Sequence, residues 1–201
     1  MQLIRQIPLL ISVFWLSACA ALVSVLIPLE NVAKPTGEYQ VGTQVLHMVD
    51  NDRSAWYGQE SSNPREIMVR VWYPAQPQEG DLKAPYVYNE KLIGDMVSEG
   101  FGIPKYLMKN LRNINGNSWS EAQPVNEKFP VIIFSHGIGG LKTQNTTQME
   151  EMASHGYVVF SCDHPYDAGV SIFPGDRTIF GKTDIPDNLT KEEKRKMRRV
   201  Q

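Results

Sequence analysis

Surplus charge, cysteine and internal repetition are all scarce in this chain. Twenty Lys and Arg face 22 Asp and Glu across 201 residues. With no positive excess to grip a phosphate backbone, the composition argues against a dedicated nucleic-acid partner. Two cysteines cannot build a disulfide scaffold, nor by themselves a zinc site. Charged residues are 21% of the chain and apolar residues 42%, with a mean hydropathy of −0.31, which excludes wholesale disorder and a polytopic membrane protein. What remains is enough chain for one domain with a real core, and too little for two ordinary ones.

Charge is missing altogether from residues 6–29, between Arg5 and Glu30, where Leu, Ile, Val, Ala, Phe and Trp dominate. Roughly 20 apolar residues rising about 1.5 Å each cross a ~30 Å hydrocarbon layer. Within the run, Leu16-Ser17-Ala18-Cys19 is similar to the lipobox of bacterial lipoproteins, although the next residues, Ala20, Ala21, Leu22 and Val23, are apolar where a polar tether is usual. An uncleaved signal anchor, a lipidated Cys19 and a cleaved signal peptide are the three readings, and each exports the remainder of the chain. The chain then divides into an anchor or signal over 1–29, a linker over 30–36 and a folded domain over 37–201. In an exported domain Cys162 has no certain partner. It reads as a small buried hydrophobe in a strand, since no histidine in a local motif supports a thiolate nucleophile.

Residues 66–73 (E-I-M-V-R-V-W-Y) are β-branched and aromatic and stop at Pro74, which predicts a strand. Residues 41–49 are a weaker strand candidate, joined to it by the polar stretch 51–64. Apolar spacings of three and four over 86–99 and 104–111, broken by Gly100, Gly102, Gly116 and Pro124, predict two short amphipathic helices. These helices would pack on the sheet or cap a substrate cleft.

The strongest local pattern lies in the second half of the chain. Residues 129–134 (F-P-V-I-I-F) form a continuous apolar run, the mark of a strand covered on both faces in a parallel sheet. It ends in Ser135-His136-Gly137-Ile138-Gly139-Gly140. A helix over 143–155, a left-handed stop at Gly156 and a second apolar strand over 157–161 complete a βαβ unit, so the class is α/β. The second strand runs into Cys162-Asp163-His164-Pro165.

The three glycines at 137, 139 and 140 allow a sharp turn that bares main-chain N–H groups toward a ligand. The spacing lacks the third glycine of a dinucleotide fingerprint, and no Walker lysine with serine or threonine comes after it. The H-G-x-G-G form instead matches the oxyanion loop of α/β-hydrolase esterases.

Several segments in order strengthen that match: 37–42 (G-E-Y-Q-V-G), Asp52-Arg53, 65–75 (R-E-I-M-V-R-V-W-Y-P-A), 129–140 (F-P-V-I-I-F-S-H-G-I-G-G), 153–159 (A-S-H-G-Y-V-V) and Asp163-His164. Together they resemble the platelet-activating factor acetylhydrolase family, including bacterial relatives close to dienelactone hydrolases. The resemblance implies the amino-terminal half of an α/β-hydrolase sheet with a helical insertion, and a serine carboxylic-ester hydrolase that cleaves short or oxidised acyl chains from phospholipids. It implies no metal and no cofactor. Carried over, the oxyanion donor falls on the backbone N–H of Ile138 within the loop of Gly137 and Gly139. His136 is then a turn-shaping residue beside the cleft and not the base. His164, with Asp163 and Asp167, sits in the loop after a parallel strand and lines the cleft.

The family's nucleophile elbow, G-x-S-x-G, is absent from the 201 residues. Gly169-Val170-Ser171-Ile172-Phe173 has Phe in place of the second glycine, and Ser171 is assigned to a loop. Ser135 is expected to be structural, His155 ends a helix, and His47 lies in the first strand. A triad of His164, Asp167 and a serine would need an unfamiliar order. A helix start at Thr190-Lys191-Glu192-Glu193 leads into the basic cluster 194–199, which reads as a solvated helical face. The expectation is therefore a hydrolase front half, holding four strands of an eight-stranded sheet, leaving the 129–134 strand without its neighbour as an aggregation-prone apolar edge, and ending before its nucleophile, with no serine-dependent turnover by this chain alone. The alternative is a noncatalytic membrane-anchored module.

Overall fold

The computed structural model describes residues 32–55, 63–181 and 190–192. The anchor, signal and Cys19 readings and the basic cluster 194–199 lie outside the described residues. No helix among the described residues is long and apolar enough to cross a membrane.

Strands β1 (Gln40–Ser54) and β2 (Pro64–Ala75) form a long antiparallel hairpin, in register from Gln40 opposite Ala75 to Asp50 opposite Arg65. The other side of β2 pairs antiparallel with β6 (Val158–Asp163), and β6 pairs parallel with β5 (Val131–Ser135). Between β5 and β6 the chain crosses over through helix α2 (Thr146–Ser154), so the expected βαβ unit is present. Gly156 at φ 87° ends that connection in the left-handed region, where a side chain would be strained.

Among the described residues the sheet has six strands, ordered β3-β4-β1-β2-β6-β5, and not the four expected. The two additions are β3 (Lys83–Pro85) and β4 (Asn115–Ser120), which pairs parallel with β1. Neither announces itself by β-propensity, since β4 reads N-G-N-S-W-S. Its backbone is held instead by the buried carboxylate of Glu150 on α2, which accepts from the N–H groups of Asn117 at 2.8 Å and Ser118 at 2.9 Å.

The core lies on both faces of β2, which explains why its residues are buried from Met68 onward. Trp72, with Val41, Met149, Ala153 and Val159, packs on the α2 side, and Val69, Val71, Tyr73, Ala75 and Ala122 pack on the other. Alternation along a central strand feeds both clusters. Cys162 joins the second cluster as a half-buried residue and not a fully buried one.

Strand β5 lies at the sheet's edge, as expected, but a second expectation is corrected: its apolar run predicts cover on both faces, whereas Val131 is 59% and Ile133 76% exposed. Only Ile132 and Phe134 reach the core. Ser171 is a third correction: it sits in β7 (Val170–Ile172), paired with β8 (Thr178–Phe180), and not in a loop. Its hydroxyl is buried and finds no partner among the described residues.

The chain divides into two units, with residues 89–114 grouped apart from Ala33–Tyr88 and Asn115–Gln201. In the smaller unit, α1 (Glu90–Phe101) is followed by Lys105–Asn113, which is a 3-10 helix where an α-helix was expected. Lys105 ties the two by pairing with Asp95 at 3.3 Å and Glu99 at 3.0 Å.

Candidate active site

The carboxyl ends of β5 and β6 lie side by side because the strands are parallel and in register, with Ser135 opposite Cys162. Ligands in such sheets gather at this end. From β5 emerges the turn 136–140, and from β6 the turn 164–169. The Gly139 N–H donates to Asp167 O at 2.7 Å, and the Gly169 N–H to Gly140 O at 3.0 Å. Asp167 and Ala168 donate back to His164 O at 3.0 and 2.7 Å.

Below them, Asp163 is fully buried, and its carboxylate accepts from the Lys142 N–H at 2.6 Å and from the Lys142 ammonium. Ser161 Oγ donates to Lys142 O at 2.8 Å. One buried ion pair thus fixes the glycine turn to the end of β6. Sequence reasoning placed Asp163 near the cleft but missed Lys142, two residues past the turn, as its partner.

The glycines answer to space as well as angle. Gly139 has φ 76°, and a Cβ on Gly140 would collide with Gln144 Oε1 and lie 2.9 Å from Gly137 O. The turn is closed by the Gly140 N–H donating to Gly137 O at 2.8 Å. The expectation of a bared glycine cluster narrows accordingly. The N–H groups of Gly139 and Gly140 are committed, whereas those of Gly137 and Ile138 find no acceptor among the described residues, and Ile138 is 87% exposed.

The histidines come together here. His136 is buried, with Nδ1 2.8 Å from Gly137 O, and its Nε2 accepts from the His164 N–H at 3.1 Å. The His164 ring stands 5.1 Å from the His136 ring, with Nε2 2.7 Å from Ser135 Oγ. Burial, and then the neighbouring His136, lower the His164 pKa. Cys162 is the opposite of a reactive thiol, since burial and then Asp163 raise its pKa. Elsewhere, His47 pairs with Glu66 at 2.6 Å, and His155 bonds Glu151 at 3.0 Å. Among the described residues, no three His, Cys, Asp or Glu side chains converge as a metal site requires.

A backbone N–H with no acceptor among the described residues, on a glycine turn at the head of a parallel strand, is what an esterase uses to hold an oxyanion. Residues 27–179 match the sequence profile described as platelet-activating factor acetylhydrolase, isoform II. The chain belongs to that family. It is 28% identical to the platelet-activating factor acetylhydrolase of Cavia porcellus over 148 residues, covering 71% of this chain and 31% of the relative. Against the enzyme of the same name from Canis lupus familiaris it is 27% identical over 139 residues, covering 67% and 28%. Among solved structures, a ferulic acid esterase from Streptomyces cinnamoneus superposes with a TM-score of 0.64 at 30% identity, covering 79% of this chain and 43% of that one. This acetylhydrolase-family chain thus has the esterase's α/β-hydrolase architecture, and it spans about a third of the curated relatives' length.

Proposed function

We propose that the protein is a carboxylic-ester hydrolase of the platelet-activating factor acetylhydrolase type, removing a short acyl chain from a phospholipid or related ester. In this reading the 201 residues carry the oxyanion side of the site. The serine nucleophile, the acid and the base come from sequence outside them. Three findings support it: the family match, the esterase neighbour and a relative length near a third. The Ile138 N–H, which finds no acceptor among the described residues, carries it.

Chemically, a serine alkoxide adds to the ester carbonyl and the carbonyl oxygen gains a negative charge. The Ile138 N–H meets that charge, the acyl-serine forms as the alcohol leaves, and water releases the acid. A donor of this kind lowers the barrier by about 3 to 4 kcal/mol. The export reading places the substrate outside the cytoplasm, with residues 6–29 or a lipid on Cys19 as the membrane tether.

The test is to sequence the gene past codon 201, and to assay this chain and the full product on p-nitrophenyl acetate and a 2-acetyl phospholipid. Hydrolysis by the full product, abolished by a fluorophosphonate, with none by the 201-residue chain, supports the proposal. Fluorophosphonate-sensitive turnover by the chain alone would overturn the placement of the nucleophile. Stable folding with no hydrolysis from either would favour the noncatalytic module.

A further inference from the structure

The Gly137 carbonyl and the Ile138 N–H belong to one peptide unit. A trans peptide is planar and points its C=O and N–H in opposite directions, and no described peptide bond is cis. Whatever holds Gly137 O therefore sets where the Ile138 N–H points. Two donors reach that oxygen from inside the turn, the Gly140 N–H at 2.8 Å and His136 Nδ1 at 2.8 Å.

The donor at Nδ1 is fixed by the other ring nitrogen. His136 Nε2 faces a backbone N–H, that of His164 at 3.1 Å, so it must offer its lone pair. In the neutral ring the single proton is then on Nδ1, aimed at Gly137 O. A carbonyl accepting two hydrogen bonds also polarises its peptide unit, which strengthens the N–H at the other end. His136 is buried, so this arrangement is shielded from competing water.

We propose that His136 is the positioning residue of the oxyanion donor: its Nδ1–H tautomer, set by the His164 main chain, locks the Gly137–Ile138 peptide plane so that the Ile138 N–H faces the reacting ester. Resting on the esterase reading above, the proposal gives the histidine of the H-G-x-G-G motif a role beyond shaping the turn. The imidazole touches no substrate atom and moves no proton. It acts wholly through the peptide unit it anchors.

The first measurement needs no catalysis. Long-range proton–nitrogen spectra of the 201-residue chain with labelled histidine should show the His136 ring proton on Nδ1 and none on Nε2. A proton on Nε2 overturns the proposal. The second compares His136→Ala with His136→Asn, whose side-chain amide stands where Nδ1 was and still donates to Gly137 O. The Ile138 amide resonance should move in the alanine variant and return toward its original position in the asparagine variant. An unmoved Ile138 amide in His136→Ala overturns the proposal, and the tautomer measurement stands even where that variant does not fold.

In the full product, His136→Ala should lower kcat about 10- to 100-fold with KM within about two-fold, and His136→Asn should recover part of it. A KM effect alone counts against positioning. If the spectra hold and kcat is unchanged, the peptide is locked as described but the esterase reading fails. If kcat falls and the spectra fail, His136 acts in some other way and the proposal falls.

Discussion

Ser135 Oγ lies 2.7 Å from His164 Nε2, joining the carboxyl ends of β5 and β6. The spacing is that of a nucleophile and its base, but the backbone beneath is not. A hydrolase serine sits on a sharp strand-to-helix turn that thrusts Oγ forward beside a free N–H, whereas Ser135 ends the extended run of β5. We expect the pair to act as a strut, so a fluorophosphonate incubated with the 201-residue chain should leave its intact mass unchanged. An adduct mapped to the Ser135 peptide, absent in His164→Gln, would make the pair catalytic.

The same histidine gives a pH signature. Its pKa is lowered by burial and by His136, so the native state resists the proton that the unfolded chain accepts near pH 6.5. The unfolded state then binds more protons, and stability is full above that value and is lost as pH falls through the lower native pKa. Urea midpoints taken from pH 7.5 to 5.0 should decline, and His164→Gln should flatten the decline. Equal slopes for both proteins would show that His164 does not drive it.

How much was legible beforehand depends on the range over which each signal acts. The hairpin of β1 and β2 and the β5–α2–β6 unit rest on local apolar pattern and glycine punctuation, which the sequence displays. The oxyanion turn rests on glycine spacing, equally local. Strand β4 was not legible, because its order comes from a carboxylate 32 residues away that bonds Ser118. The edge position of β5 follows from the absent elbow strand, but the bare face of Val131 and Ile133 was not legible, because a continuous apolar run reports a strand's chemistry and not what covers each face. Ser135 with His164, and Lys142 with Asp163, are pairings across 29 and 21 residues, which no local motif encodes.

Glu150 offers a test of the β4 explanation. Its Oε1 accepts from the N–H of Asn117, the N–H of Ser118 and Ser118 Oγ, while Oε2 accepts from Asn117 Nδ2 at 3.0 Å. Glu150→Ala strands these donors in a buried site and should cost about 2 to 3 kcal/mol by urea denaturation. Glu150→Gln should cost less, since its carbonyl still serves the Oε1 donors. Protection of the Asn117 and Ser118 amides from hydrogen exchange should fall in step. Unaltered protection in Glu150→Ala would mean that β4 is held by its strand neighbours alone.

Lys142 and Asp163 can be separated in the same way. Truncating Lys142 to Ala leaves a buried carboxylate with one backbone donor and no cation, at a cost of about 3 to 5 kcal/mol. Asp163→Asn in the Lys142→Met background removes both charges and should recover most of that loss. If the double variant is no more stable than Lys142→Ala, packing and not charge holds the two turns together.

The open edge of β5 makes the last prediction. Val131 and Ile133 project apolar side chains from a strand whose outer backbone groups have no strand neighbour among the described residues, which is a template for pairing with another chain. Ile133 is 76% exposed, so a charge there meets water and not the core. Ile133→Lys should therefore slow aggregation of the 201-residue chain, read by light scattering, and leave its urea midpoint within about 0.5 kcal/mol of the original. Ile132→Lys, one residue away on the face packed against Trp72 and Val159, should instead destabilise the fold. The contrast separates edge from core: if both variants unfold the protein, β5 is not the exposed edge described here, and if neither slows aggregation, association begins elsewhere.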